Sequence, residues 1–219
     1  MKKIFIVLAV IIVAFFCFAA AVFIPFATPT KGAPLSAYAA PTTALVVIDL
    51  QKDMTERNGK RPLNLVQTDA VIPLVNDLIK AAEAKKWPVV YITHEYRKGS
   101  PLRLVTRDFL LEGMPGAGMD PRLAVINNNH FIKYRMDAFS NPDFDAFLRK
   151  NQVNHVLLTG MAAEECIDRT SRGALNRKYD VTVISDCIAG KSDTSRGQKI
   201  RDYEKYGAKV LQARALLGG

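Results

Sequence analysis

Apolar residues fill every position from Ile4 to Ile24, behind Lys2 and Lys3, a run of 21 residues without a polar face. As a helix rising about 1.5 Å per residue it is about 30 Å long, the thickness of one bilayer core. A buried core helix would show a polar stripe, and this run has none. Residues 1–27 therefore read as a signal anchor or a signal peptide. The run is longer than the usual signal-peptide core. The small residues of Ala37-Tyr38-Ala39, where a signal peptidase could cut, lie well beyond it. The uncleaved anchor is the favoured reading, with a cleaved signal as the alternative. In both, the lysines stay cytoplasmic and the rest of the chain is exported. Residues 28–43, "TPTKGAPLSAYAAPTT", are rich in Pro, Ala, Ser and Thr and read as a linker.

From residue 44 the pattern alternates between short β-branched runs and stretches of 3.6-residue period. Strands are expected at 44–50, 88–94, 129–135, 155–160, 180–188 and 209–213. Helices are expected at 69–86, 143–151, 164–179 and 195–208. In the first helix Val71, Leu74, Val75, Leu78, Ile79 and Ala82 share a face, with Asp69 as its cap. Residues 95–130 are irregular and rich in turn formers, and loops of that length are usually functional. Such alternation predicts an α/β fold: a three-layer α-β-α domain over 44–215 around a mostly parallel, Rossmann-like sheet. No internal repeat is visible.

Charge and cysteine content change this picture little. The chain of 219 residues has a formal net charge of +9, and setting aside the three lysines before residue 41 leaves +6 for the remainder. No compact basic run interleaved with aromatics, zinc-finger spacing or Walker loop is present, so nucleic acid is not an expected partner. Cys17 belongs to the apolar run, which leaves Cys166 and Cys187 in the domain. They fall on different predicted elements, and no disulfide framework or C-x-x-C pair is formed.

Ligands of parallel sheets bind at the carboxyl ends of the strands. Three residues with chemistry fall there: Asp49 ends the first strand, Lys133 lies in "HFIKYR", and Cys166 opens the helix after "HVLLTG". A cysteine at a helix start can be a buried packing residue or a nucleophile.

The segments "VVIDLQKDM" (46–54), "FIKYRMDAF" (131–139), "LLTGMAAEECIDRTSRGAL" (157–175) and "YDVTVISDCIAG" (179–190) together resemble the isochorismatase-like cysteine hydrolases, which include nicotinamidases and N-carbamoylsarcosine-type amidases. The resemblance covers about residues 42–215 and implies an Asp49, Lys133, Cys166 triad. Cys166 would attack an amide carbonyl, Asp49 would act as general base and then acid, and Lys133 and the helix start would favour the thiolate. It also implies an oxyanion hole of the Ala162 and Cys166 backbone N–H groups beside a cis Met161–Ala162 peptide. Family members commonly form homo-oligomers.

Nicotinamidases carry an Asp and His metal site. Here His94 alone lies in the right region, so no metal and no cofactor are expected. His94 reads as a strand-end polar residue near the pocket, and Cys187 as core. Arg97 and Arg135 are candidates to clamp a substrate carboxylate, and Met54, Tyr134 and Phe139 to line the pocket or fill the core. The expected reaction is cysteine-dependent hydrolysis of a small amide or carbamoyl compound. An ether hydrolase, a silent binding protein of the same fold, and a thiol redox protein are the alternatives.

Overall fold

The structure, a computed structural model, describes residues 2–218; Met1 of the predicted signal segment lies outside them. Helix α1 (Lys2–Ala27) is followed by strand β1 (Thr42–Ile48), helix α2 (Leu65–Ala84), and strands β2 (Val89–His94) and β3 (His130–Lys133). Then come α3 (Pro142–Lys150), β4 (Val153–Met161), α4 (Asp168–Asn176), β5 (Asp180–Ala189), α5 (Asp193–Lys205) and β6 (Lys209–Leu211). All six strands run parallel in the order β3-β2-β1-β4-β5-β6. The chain passes from β1 outward to β3, then returns to the other side of β1 with β4. That reversal opens a crevice between β1 and β4 at their carboxyl ends.

The pleat divides the core into two layers. Ala44, Val46 and Ile48 of β1 pack on one face with Phe144 and Leu148 of α3, Ala174 of α4 and Tyr203 of α5. Leu45 and Val47 face the other way, against Val71, Val75, Leu78 and Ile79 of α2. Both faces of the sheet are therefore covered, as continuous apolar strands require.

Several boundaries differ from the sequence reading for local reasons. Helix α2 begins one turn earlier, because Asn64 caps it by accepting from the Gln67 N–H at 3.3 Å. Asp69 does not cap; its carboxylate pairs with Arg122 at 2.6 Å. The helix expected at 164–179 divides into a π-helical turn, Ala163–Ile167, and the α-helix α4. The long irregular stretch contains short helices at Arg103–Thr106 and Pro115–Ala117. It is organised on Asp53, whose carboxylate accepts from Leu110 N at 2.9 Å and Lys60 N at 3.3 Å.

The N-terminal run is a helix as expected. Its segment Leu8–Ala27 has a mean hydropathy of 2.8 and is long and apolar enough to cross a membrane. Residues 28–41 lack regular structure but are not a free tether. They run along the domain, with backbone carbonyls taken by the side chains of Arg149 in α3, Asn176 at the end of α4 and Arg177 just beyond it.

Candidate active site

The crevice is closed by four side chains from four strand ends or junctions. Asp49 follows β1 directly, in a left-handed conformation (φ 55°) that aspartate tolerates better than most residues. Its own N–H donates to the Ile92 carbonyl of β2 at 2.8 Å, which fixes where its side chain starts. Lys133 and His94 end β3 and β2 and are register partners in the parallel pair. Cys166 sits in the π-helical turn after β4, just beyond the cis Met161–Ala162 peptide. Gly160, with φ 109°, precedes that peptide; a Cβ there would collide with the Ile48 carbonyl, so only glycine lets β4 approach β1 this closely.

The side chains converge on the lysine. Its Nζ lies 2.8 Å from Asp49 Oδ2, 3.1 Å from Cys166 Sγ and 3.2 Å from His94 Nδ1. An ammonium has three N–H donors, and these three acceptors occupy them. His94 Nδ1 therefore accepts, which places the imidazole proton on Nε2. That Nε2 and Asp49 Oδ1 are buried without a partner. Gln51 holds His94 from behind: its amide accepts from His94 N at 2.8 Å and donates to His94 O at 2.9 Å and Ala117 O at 2.6 Å.

Burial sets the charge states. It pushes the Asp49 carboxyl above its ordinary value, against the pull of Lys133. It pushes the Cys166 thiol up as well; neighbouring Asp49 adds to this and Lys133 opposes it. Burial works to lower Lys133, but Asp49 and Cys166 beside it outweigh that and hold it above the usual lysine range. Burial, then the Lys133 cation, keeps His94 well below its ordinary 6.5 and neutral. The resting site is thus a neutral thiol beside a carboxylate and an ammonium. Lys133 does favour the thiolate, as expected, but burial and the Asp49 charge outweigh it. The thiol is desolvated, and the carboxylate that neutralises the lysine also repels a thiolate.

The cavity over Cys166 is small, about 40 Å³, and is lined by Asp49, His94, Tyr96, Ala162, Glu165 and a set of apolar side chains. Met54 is among these, as one of the two expected options had it, and Phe109 and Leu110 are brought in by the Asp53-centred loop. Burial pushes the Tyr96 phenol up to about 12, so it is a neutral hydrogen-bonding group at working pH. Glu165 lines the wall but is paired with Lys191 at 2.6 Å.

The three substrate-binding candidates lie elsewhere. Phe139 is core, 3% exposed, packed against Phe144 and Tyr179 with the Arg177 guanidinium over its ring. A 3-10 turn, Ala138–Ser140, rotates it inward. Arg97 and Arg135 line an adjoining cavity of about 480 Å³ with Tyr134, Ser100 and Asn141, rather than the one over the thiol. Lys133 lines that adjoining cavity as well, so Arg135 keeps to the lysine's side although strand β3 ends at Lys133. Cys187 is buried in the α2-side core, as expected. Among the described residues, no three His, Cys, Asp or Glu side chains come together as a metal-ligand set. Sequence reasoning missed Gln51, Tyr96 and the loop residues Phe109 and Leu110. Only Gln51, two residues from Asp49 in "VIDLQKD", carried a local signal.

Fold and site together define a class. The profile of the Isochorismatase domain matches residues 43–215, and the chain belongs to that family of hydrolases, which includes amidases. Among relatives, it is 27% identical over 156 residues to an uncharacterised isochorismatase family protein of Bacillus subtilis, YaaI, covering 68% of this chain and 82% of that one. It is also 27% identical over 159 residues to the N-carbamoylsarcosine amidase of an Arthrobacter species, covering 68% of this chain and 60% of that enzyme. A cysteine hydrolase of Pseudomonas syringae pv. phaseolicola 1448A superposes with a TM-score of 0.74 at 21% identity, over 86% of this chain and 97% of the other, and shows the shared fold.

Proposed function

We propose that the protein is a cysteine amidohydrolase that cleaves a small amide or carbamoyl compound through a thioester on Cys166, tethered to a membrane by α1. The observation that carries this reading is the Lys133 ammonium, buried and bonded at once to Asp49 and Cys166. A packing lysine has no physical reason to be held there, since a buried charge is costly unless its site uses it or pairs it well.

The substrate amide docks with its carbonyl carbon over Sγ. As sulfur bonds to that carbon, the thiol proton passes to Asp49, and the carbonyl oxygen takes up the negative charge. The backbone N–H groups of Ala162 and Cys166 hold that oxyanion; one such donor is commonly worth about 10²–10³ in rate. The C–N bond then breaks as Asp49 returns the proton to the leaving nitrogen. Water next attacks the thioester, losing a proton to Asp49, and the C–S bond breaks with the proton restored to sulfur. Lys133 keeps its proton throughout and stabilises whichever of Asp49 and Cys166 is anionic. The unpartnered Asp49 Oδ1 and His94 Nε2–H offer an acceptor and a donor to the amide.

The membrane part of the proposal rests on the apolar segment Leu8–Ala27, with Lys2 and Lys3 on the cytoplasmic side and the domain exported. Release of ammonia from a panel of primary amides and carbamoyl compounds tests the activity, with intact-mass detection of an acyl adduct on Cys166. Turnover that disappears in Cys166→Ala is expected. Ammonia release that persists in that variant would overturn the thioester route in favour of direct attack by water on the amide.

A further inference from the structure

Helix α1 is bare along most of its length. Phe15, Phe16, Phe18 and Ile24 are 64%, 65%, 59% and 63% exposed, as suits lipid contact. Phe26 breaks the pattern at 7% exposed. Its ring lines the cavity over Cys166 together with Asp49, His94 and Tyr96. It stacks on Tyr96 with centroids 5.8 Å apart and meets His94 edge-on at 5.6 Å. The backbone on either side is fastened to the domain. The Phe26 carbonyl accepts from Met136 N at 3.1 Å, and the Ala27 carbonyl from Arg169 Nε at 2.7 Å. Thr30 donates its N–H and its hydroxyl to Asp137 at 2.7 and 2.6 Å. Arg177 holds the Thr30 and Lys31 carbonyls at 3.2 and 3.1 Å, and its own carbonyl accepts from Leu35 N at 2.8 Å. An exposed loop would leave such groups to water; here charged side chains of the domain take them.

We infer that Phe26 is a specificity-determining residue: the last turn of the membrane helix is a wall of the active site, and its phenyl ring limits the acyl group that can reach Cys166. The inference deepens the amidohydrolase reading and rests on it for the word "acyl". The wall itself rests on geometry alone. With the ring in place the cavity is about 40 Å³, so the ring restricts the bulk of the acyl group that reaches Cys166. The favoured substrates are therefore amides of the smallest acids and ureido compounds. The cavity also adjoins Phe26, where the apolar span ends. A chain cut after Ala39 would lose this wall, so the same residue ties the substrate range to an uncleaved anchor.

The test uses the full-length chain in phospholipid nanodiscs and reads access to Cys166 without requiring turnover. Alkylation by iodoacetamide and by N-phenylmaleimide is followed by peptide mass spectrometry, so that Cys17 and Cys187 are counted separately. Removing the ring in Phe26→Ala is expected to raise the ratio of the bulky to the small reagent's rate about tenfold, the scale of a size-selective apolar contact. Phe26→Trp is expected to lower the ratio, which keeps the test open should the alanine variant fail to fold. A ratio unchanged in both variants, or an equal rise for both reagents, would overturn the assignment. A shifted ratio in a protein that hydrolyses no amide would keep the wall and discard the amidohydrolase.

Discussion

Two cavities meet at Tyr96, and they differ in every respect that matters for chemistry. The one over Cys166 is about 40 Å³, and Asp49 in its wall is buried and paired with the buried Lys133. The one beside it is about 480 Å³ and is lined by the exposed Arg97 and the half-buried Arg135. Arg97 is spent in part on Tyr134, with its guanidinium 4.2 Å from the ring centroid. Volume favours the second cavity; chemistry favours the first. A hydrolase needs groups whose protonation is set by surroundings that water cannot reorganise, and Asp49, His94 and Cys166 of the smaller cavity are such groups.

The sharpest way to break this comparison is to remove the groups of the smaller cavity. Cys166→Ala and Asp49→Asn are each expected to lower kcat/KM by about 10³-fold or more, because nucleophile and proton carrier act as one unit. Steady-state ammonia release measures this, and a loss under tenfold for either would move the chemistry out of this cavity. Next in size is stability. Lys133→Met leaves Asp49 buried without its cation, at a cost of about 3–5 kcal/mol. The double variant Asp49→Asn/Lys133→Met should recover most of the lost melting temperature. If it does not, the pair is not electrostatically coupled as its 2.8 Å contact implies.

The pH profile sharpens the comparison further. Asp49 must be ionised to accept the thiol proton, and burial raises its pKa above the ordinary 3.8. Activity should therefore be full above that raised value and fall as pH drops through it, with the acid limb of kcat/KM displaced upward. With Cys166 and Lys133 both raised, neither supplies an alkaline limb near neutrality. A thiol of apparent pKa below 8, read from iodoacetamide alkylation against pH, would contradict the neutral resting site. The smallest effect is expected in the larger cavity: Arg97→Ala should change kcat by less than about threefold, as solvated surface charges generally do. A large rise in KM would instead make that cavity part of the substrate site.

Much of the site was legible because each of its reactive residues sits where a pattern changes. Asp49 ends a β-branched run, and Cys166 follows another at the start of a periodic one. Lys133 is a cation inside a strand, which is unusual enough to notice. Phe139 misled for the opposite reason. It stands six residues from Lys133, but a 3-10 turn capped by Asp137 turns its ring into the core. Asp69 looked like a cap until Arg122, 53 residues away in sequence, proved to hold it. Neither event leaves a trace at its own position in the chain.

By itself the sequence determined the parallel α/β architecture, the membrane-length apolar helix and the three side chains that meet in the crevice, because periodicity, run length and residue chemistry are local. Tertiary structure alone decided the rest. The β2–β3 register puts His94 beside Lys133, and burial outweighs the pull of Lys133 and keeps Cys166 a thiol. Long-range hydrogen bonds lay the expected linker along the domain, and Phe26, at the end of the expected signal segment, reaches the cavity over Cys166. Register, desolvation and chain return depend on residues far apart in the sequence, and only the folded chain brings them together.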